Sequence, residues 1–151
     1  MYDTALAHLD LDTIAWQDTD PPQRKAQNLA NLDIDQFLEQ NHSRWVVEGC
    51  YADLLSHVSP KAEMAIFMNL PISKCQENAR NRAWEPHKYD SKEAQDANLS
   101  MLLNWIEDYE QRADDSFSKT AHQRLFDEFN GEKVEVTDNM SFLDFSQRWL
   151  N

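Results

Sequence analysis

Two carboxylates and a hydroxyl, Asp10, Asp12 and Thr13, close the alternating apolar stretch ALAHLDLDTIAW at residues 5–16. This spacing predicts a strand whose C-terminal end delivers both acids to one place, because side chains at i and i+2 of a strand project to the same face. Placed so, the pair reaches one cation or one polyhydroxyl ligand. Two like charges that close stay ionised only beside a metal, a donor group or water. The plainer reading is a polar strand end that caps the next helix through Asp12 or Thr13.

Two further groups could do chemistry. Glu48 ends the short apolar run WVVE and precedes Gly49. An acid there orders a water on Mg²⁺ or accepts a proton, or else serves as a cap or an ion-pair partner at a loop. Gly49 permits close backbone approach or a positive φ. The segment Lys74–Lys88 is the basic stretch of an acidic chain, with Lys74, Arg80, Arg82, His87 and Lys88. Guanidinium groups suit bidentate phosphate contact, and a cationic lid over phosphates, spanning about residues 78–95, is a recurring device. The competing reading is a solvated helix end whose arginines complement the helix dipole.

The elements that must position these groups follow from periodicity. Strands are predicted over Ala5–Leu11, Trp45–Glu48, Glu63–Leu70 and Lys133–Thr137. Helices are predicted over Leu29–Gln40, with an apolar stripe Leu29, Leu32, Ile34, Phe37 and Leu38, and from Pro71 to about Trp84. Three more are predicted over Ser91–Gln111, Ser118–Phe129, ended by the Asn130-Gly131 cap signal, and Ser141–Leu150. The region after Trp16 and that around Tyr51 are where substrate specificity would reside, the first as a helix. Strands alternating with helices imply an α/β fold in three layers, a mainly parallel sheet with helices on both faces. Ligands of such sheets bind outside the carboxyl ends of the strands.

Composition narrows the class. The 151 residues suffice for one domain, and 41% hydrophobic content argues against disorder. A net charge of −13 argues against a nucleic-acid or anionic-membrane binder. No signal peptide and no apolar run of membrane-spanning length is visible. Cys50 and Cys75 show no CxxC or metal spacing and read as buried thiols of a reducing cytoplasm. With two glycines in all, these residues contain no glycine-rich phosphate loop.

The ordered set HLDLDTIAW, WVVEGCY, AEMAIFMNLP, CQENARNR, LLNWIEDYEQR and DDSFSKTAHQRLFDEFNGEKVEV resembles the small P-loop kinases related to shikimate and adenylate kinase. More narrowly, it is similar to the bacterial branch often labelled AAA-family or adenylate-kinase-like ATPases. The resemblance spans nearly the whole chain. It implies a P-loop nucleoside-triphosphatase fold, ATP and Mg²⁺ as cofactors, and phosphoryl transfer to a hydroxyl-bearing small molecule. Asp10 matches the acid that helps hold Mg²⁺, and Asp12 the one that meets the acceptor, as a base. Glu48, Gly49 and Tyr51 match the substrate-facing strand end. Arg80 and Arg82 match lid arginines near the adenine or the phosphates. Arg112 and His122 fall in the tail motif, where packing or lid support is expected before chemistry.

The family opens with a strand, a GxxGxGK[ST] loop and a helix, roughly 20–25 residues by typical unit lengths. None of these has a counterpart here, so the chain reads as a member truncated at its N-terminus. It is expected to bind neither ATP nor Mg²⁺ and to lack kinase activity, since that apparatus carries phosphoryl transfer. The missing strand is the central one, between WVVE and EMAIFMNL. Its loss predicts that those strands pair directly or that two chains associate as a homodimer. The alternatives are a non-catalytic small-molecule-binding or regulatory module, a chain left without function by a misplaced start, and, most distantly, a metal-only hydrolase using Asp10, Asp12 and Glu48.

Overall fold

A computed structural model describes residues 6–42 and 44–149. Four strands form where apolar and β-branched residues cluster: β1 (Ala7–Asp10), β2 (Trp45–Glu48), β3 (Met64–Met68) and β4 (Glu132–Val136). Their pairing is parallel throughout. Asp10 lies opposite Glu48 in one ladder, and Ile66 and Met68 lie opposite Val134 and Val136 in the other. These are two separate two-stranded sheets, β1–β2 and β3–β4. Among the described residues no ladder bond joins them, so β2 and β3 do not pair directly.

Six α-helices complete this mixed α/β fold among the described residues: α1 (Gln27–Gln40), α2 (Ala52–Val58), α3 (Ile72–Asn81), α4 (Lys92–Glu107), α5 (Lys119–Glu128) and α6 (Phe142–Trp149). Parallel strands require crossover connections, and α1 supplies the one between β1 and β2. Its buried stripe is Ala30, Ile34 and Leu38, four residues apart. Leu29 and Leu32, expected on that stripe, are exposed. Ser91 and Ser118 cap α4 and α5, their side-chain oxygens accepting from the Ala94 and Ala121 N–H groups.

Several boundaries differ from expectation. Ala5 lies outside the described residues, as does Leu150 at the end of the last predicted helix. The first strand stops at Asp10, whose carboxylate accepts from the Asp12 N–H at 2.9 Å. The Thr13 hydroxyl donates to the Asp10 carbonyl at 2.6 Å, and Leu11–Thr13 wind into a 3₁₀ turn. Residues 17–26 contain no helix; Trp16 instead forms an antiparallel bridge to Arg24. Helix α3 ends at Asn81 rather than near Trp84. Helix α5 ends on Phe129 in extended conformation, and Gly131 does not take the left-handed cap conformation.

Two hydrophobic clusters hold the sheets. The larger joins Leu11, Ala15, Ile34, Leu38, Tyr51, Leu54 and Val58, with Leu9, Trp45 and Val47 packed against it. Helices α1 and α2 thus cover the Leu9/Val47 face of β1–β2, while His8, Val46 and Glu48 on the other face are exposed. The smaller cluster, Leu70, Val134 and Val136, packs with Met64, Cys75 and Phe145. On the opposite face of β3, Phe67 meets Phe126 of α5, ring centroids 5.5 Å apart. Ile66 and Met68 of β3 stay exposed beside buried Val134 and Val136. Among the described residues, no helix is long and apolar enough to cross a membrane.

Candidate functional site

The end of β1 and the 3₁₀ turn after it set Asp10 and Asp12 side by side. They are not a strand pair on one pleat, as the spacing suggested, because the turn begins at Leu11. What brings them together is the irregular stretch between α3 and α4. From it Lys88 reaches across the strand end, its Nζ 2.9 Å from Asp10 Oδ2 and 2.8 Å from Asp12 Oδ2. His87 Nε2 lies 3.3 Å from the same Asp10 oxygen. The donor group that two adjacent carboxylates require is therefore a lysine of this chain.

Both remaining oxygens are also engaged. Asp10 Oδ1 accepts from the Asp12 N–H, and Asp12 Oδ1 accepts from the Tyr51 hydroxyl at 2.5 Å. Tyr51, 3% exposed, accepts in turn from the Trp16 indole N–H at 2.8 Å. Burial alone would raise the Asp10 carboxyl, but the bonds from Lys88, the Asp12 N–H and His87, with the Lys88 charge, hold it below its ordinary value. Burial would likewise lower the Lys88 ammonium; the bonds to Asp12 and Asp10 outweigh it and hold the group above its ordinary range. Burial, then the bond to Asp12, push the Tyr51 phenol up.

Tyr51 is braced from its far side. The Arg24 guanidinium sits 4.8 Å from its ring centroid and 5.2 Å from that of Phe117. Arg24 is fixed by Asp53 on α2 at 2.9 Å, and the Ser116 hydroxyl donates to that same aspartate. Replacing Tyr51 by phenylalanine removes a donor from Asp12 and an acceptor from Trp16. The expected cost is about 1–2 kcal/mol, read from the urea midpoint; an unchanged midpoint would remove Tyr51 from the support of Asp12.

The other residues singled out from sequence divide. Gly49 has φ +153°, and a Cβ there would lie 3.0 Å from Leu11 Cβ and 3.1 Å from the Tyr51 ring. Both the positive φ and the close approach are therefore present, and both serve Tyr51 and the turn. Glu48 stands opposite Asp10 in the ladder, yet its carboxylate pairs with exposed His8 at 3.3 Å. Arg80 is exposed and lines the groove between α3 and α4. Arg82 pairs with Glu85 at 3.4 Å, and Glu85 lies 3.6 Å from Lys88, so two side chains stand between Arg82 and the carboxylates.

Arg112 and His122 make packing contacts. The Arg112 guanidinium stacks 3.6 Å from the Trp105 centroid and donates to the Phe117 carbonyl at 3.0 Å. His122 Nε2 faces the Cys50 and Ser116 carbonyls at 2.7 and 3.1 Å. That nitrogen therefore carries the proton, and Nδ1 accepts from the Tyr109 hydroxyl at 2.8 Å. Cys50 is exposed as a residue and Cys75 half-buried, yet burial raises both thiols above their ordinary value, and both are free.

Sequence reasoning named Lys88 and His87 in a basic stretch and gave them no role. The signal available was their place in the lid-like segment. Arg24 and Trp16 carried no signal, since their partners lie 29 and 35 residues away.

Among the described residues, no group of three or more His, Cys, Asp or Glu side chains is placed to hold a metal ion. Each carboxylate oxygen of Asp10 and Asp12 already has a donor. The residues as arranged do not fit the metal, and with two glycines in the chain no glycine-rich cradle receives the phosphates. The class the fold and site define is a mixed α/β chain with parallel strand pairs and a two-carboxylate centre closed by a lysine. Comparisons with protein-family models, curated proteins and solved structures find no match.

Proposed function

We propose that this chain is the acceptor-and-lid portion of a small-molecule phosphotransferase of the P-loop kinase type. The observation that carries the reading is the placement of Asp10 and Asp12 at a strand's carboxyl end beneath the segment between α3 and α4, where parallel sheets receive ligands. The two parallel strand pairs with no ladder bond between them fit a sheet whose central strand is not among the described residues. In this reading Asp12 meets the acceptor hydroxyl, with Tyr51 fixing its orientation. The phosphate loop, its lysine and its Ser/Thr have no counterpart in these residues, so no transfer step is assigned to them.

The test is titration of the chain with a panel of polyols and nucleosides, with Mg²⁺–ATP turnover measured in parallel. Saturable binding of a hydroxyl-bearing ligand, weakened at least tenfold in Asp12→Asn, is expected, and no turnover. Failure to bind any of the panel, or equal binding by the variant, overturns the acceptor reading. Turnover would overturn the inactivity.

A second reading, a non-catalytic binding module, is favoured by the engagement of every oxygen of Asp10 and Asp12 within the chain. A bound acceptor that stays unmodified when a complete phosphate loop is supplied in the same polypeptide would select it.

A further inference from the structure

The stretch between α3 and α4 has two unlike attachments. On the α4 side it is held by neutral hydrogen bonds. Gln95 donates to the Ala83 carbonyl at 3.0 Å and accepts from the Glu85 N–H at 2.9 Å, and Asn98 donates to the Tyr89 hydroxyl at 3.0 Å. Within the stretch, the Lys88 and Tyr89 N–H groups both donate to the Glu85 carbonyl at 3.0 Å, so it carries a short turn of its own. On the β1 side its charged contacts are those of Lys88 and His87 to Asp10 and Asp12. The Lys88 side chain is 19% exposed and that of Asp10 6%, so the closed segment shields the acid from solvent.

The oxygens converge in a telling way. Asp10 Oδ1 and Asp12 Oδ1 are fixed by the fold itself, through the 3₁₀ turn and Tyr51. Asp12 Oδ2 is satisfied by Lys88, and Asp10 Oδ2 by Lys88 and His87, both of the same segment. Withdrawal of the segment, taking the Lys88 ammonium and the His87 ring together, frees one oxygen on each acid, both aimed at the point the ammonium leaves.

We infer that residues 82–91 form a strap hinged on α4 and held shut by Lys88, an autoinhibitory contact in which the ammonium occupies the position of a ligand's cation or donor. A ligand engages both carboxylates only when the strap lifts. The inference rests on the reading of Asp10 and Asp12 as ligand-facing groups, and it holds whether or not that ligand is ever phosphorylated.

Hydrogen exchange on the whole chain tests it. Lys88→Gln is expected to speed exchange of the amides of residues 83–91 about tenfold or more, the range of a typical coupling between two sites, with α1 unchanged. Terbium(III) alone, as a cation probe, is expected to speed the same amides in the wild-type chain, saturably, and to leave them unchanged in Asp10→Asn. Strap protection unaltered in Lys88→Gln overturns the latch. Terbium bound without any change in the strap overturns the exclusion of ligand by Lys88. These amides report the strap directly, so they separate its failure from that of the acceptor reading, which the polyol titration decides. Should Lys88→Gln fail to fold, the terbium arm on the wild-type chain still decides the proposal: a strap that stays protected overturns it.

Discussion

Replacing Gly131 by alanine is expected to destabilise the fold by about 3 kcal/mol, the upper range of overpacking costs. A Cβ at this position would sit 2.4 Å from the Glu63 carbonyl oxygen and 2.6 and 2.8 Å from two atoms of the Phe129 ring. None of these neighbours can yield cheaply. The Glu63 carbonyl accepts from the Glu132 N–H at 2.9 Å, at the start of the β3–β4 ladder, and Phe129 is 8% exposed. The backbone there is not left-handed, so the cost arises from crowding and falls on the smaller core. Urea denaturation of Gly131→Ala measures it. A change below about 0.5 kcal/mol, the ordinary scatter of surface substitutions, would mean that β3 and β4 separate to admit the methyl group.

That glycine also shows how sequence and structure part company. Asn130-Gly131 after a helical stripe is a sound cap signal, but what Gly131 provides is a passage for one backbone past another, an encounter across 68 residues that no local pattern encodes. The strands and the longer helices were legible because burying one face imposes a period, as with Ile34 and Leu38 on α1. Leu29 and Leu32 satisfied the same period and still face solvent, since periodicity cannot tell a stripe's edge from its centre. Helix α2 was missed because seven residues, ADLLSHV, give too short a window for a period to emerge.

The candidate site was half legible. Two acids near a strand end are visible as text, and so is the glycine that lets Tyr51 approach. The cation between the acids is not, because Lys88 and Asp10 stand 78 positions apart in the chain. Arginine drew attention through its fit to phosphate, yet Arg80 is exposed and Arg82 is taken by Glu85. A general preference of a side chain does not determine which partner the fold presents to it.

Lys88→Met is expected to cost about 3 kcal/mol at pH 7, because removing the ammonium leaves buried Asp10 with only the Asp12 N–H and His87 beside its charge. This estimate takes the lower end of the usual range, since the Asp12 side chain is 40% exposed and water compensates part of its loss. The pH dependence distinguishes a lost ion pair from lost packing. In the wild-type chain the Asp10 carboxyl is held below its ordinary value of 3.8, so its contribution is complete above that value and fades as pH falls through the lower, folded one. The Lys88 ammonium is held above 10.5, so its contribution is complete below that value and is lost as pH rises past the folded one. The wild-type pair is therefore at full strength between about pH 4 and pH 10. In Lys88→Met, protonation of Asp10 no longer sacrifices the ammonium and instead relieves a buried charge held only by the Asp12 N–H and His87. The stability difference between the two proteins should accordingly shrink as pH is lowered from 7 toward 3. Urea midpoints for both proteins at pH 7, 5 and 3.5 measure this. A difference that stays constant over that range would assign the cost to the Lys88 methylenes and their packing rather than to the charge that joins the strap to Asp10 and Asp12.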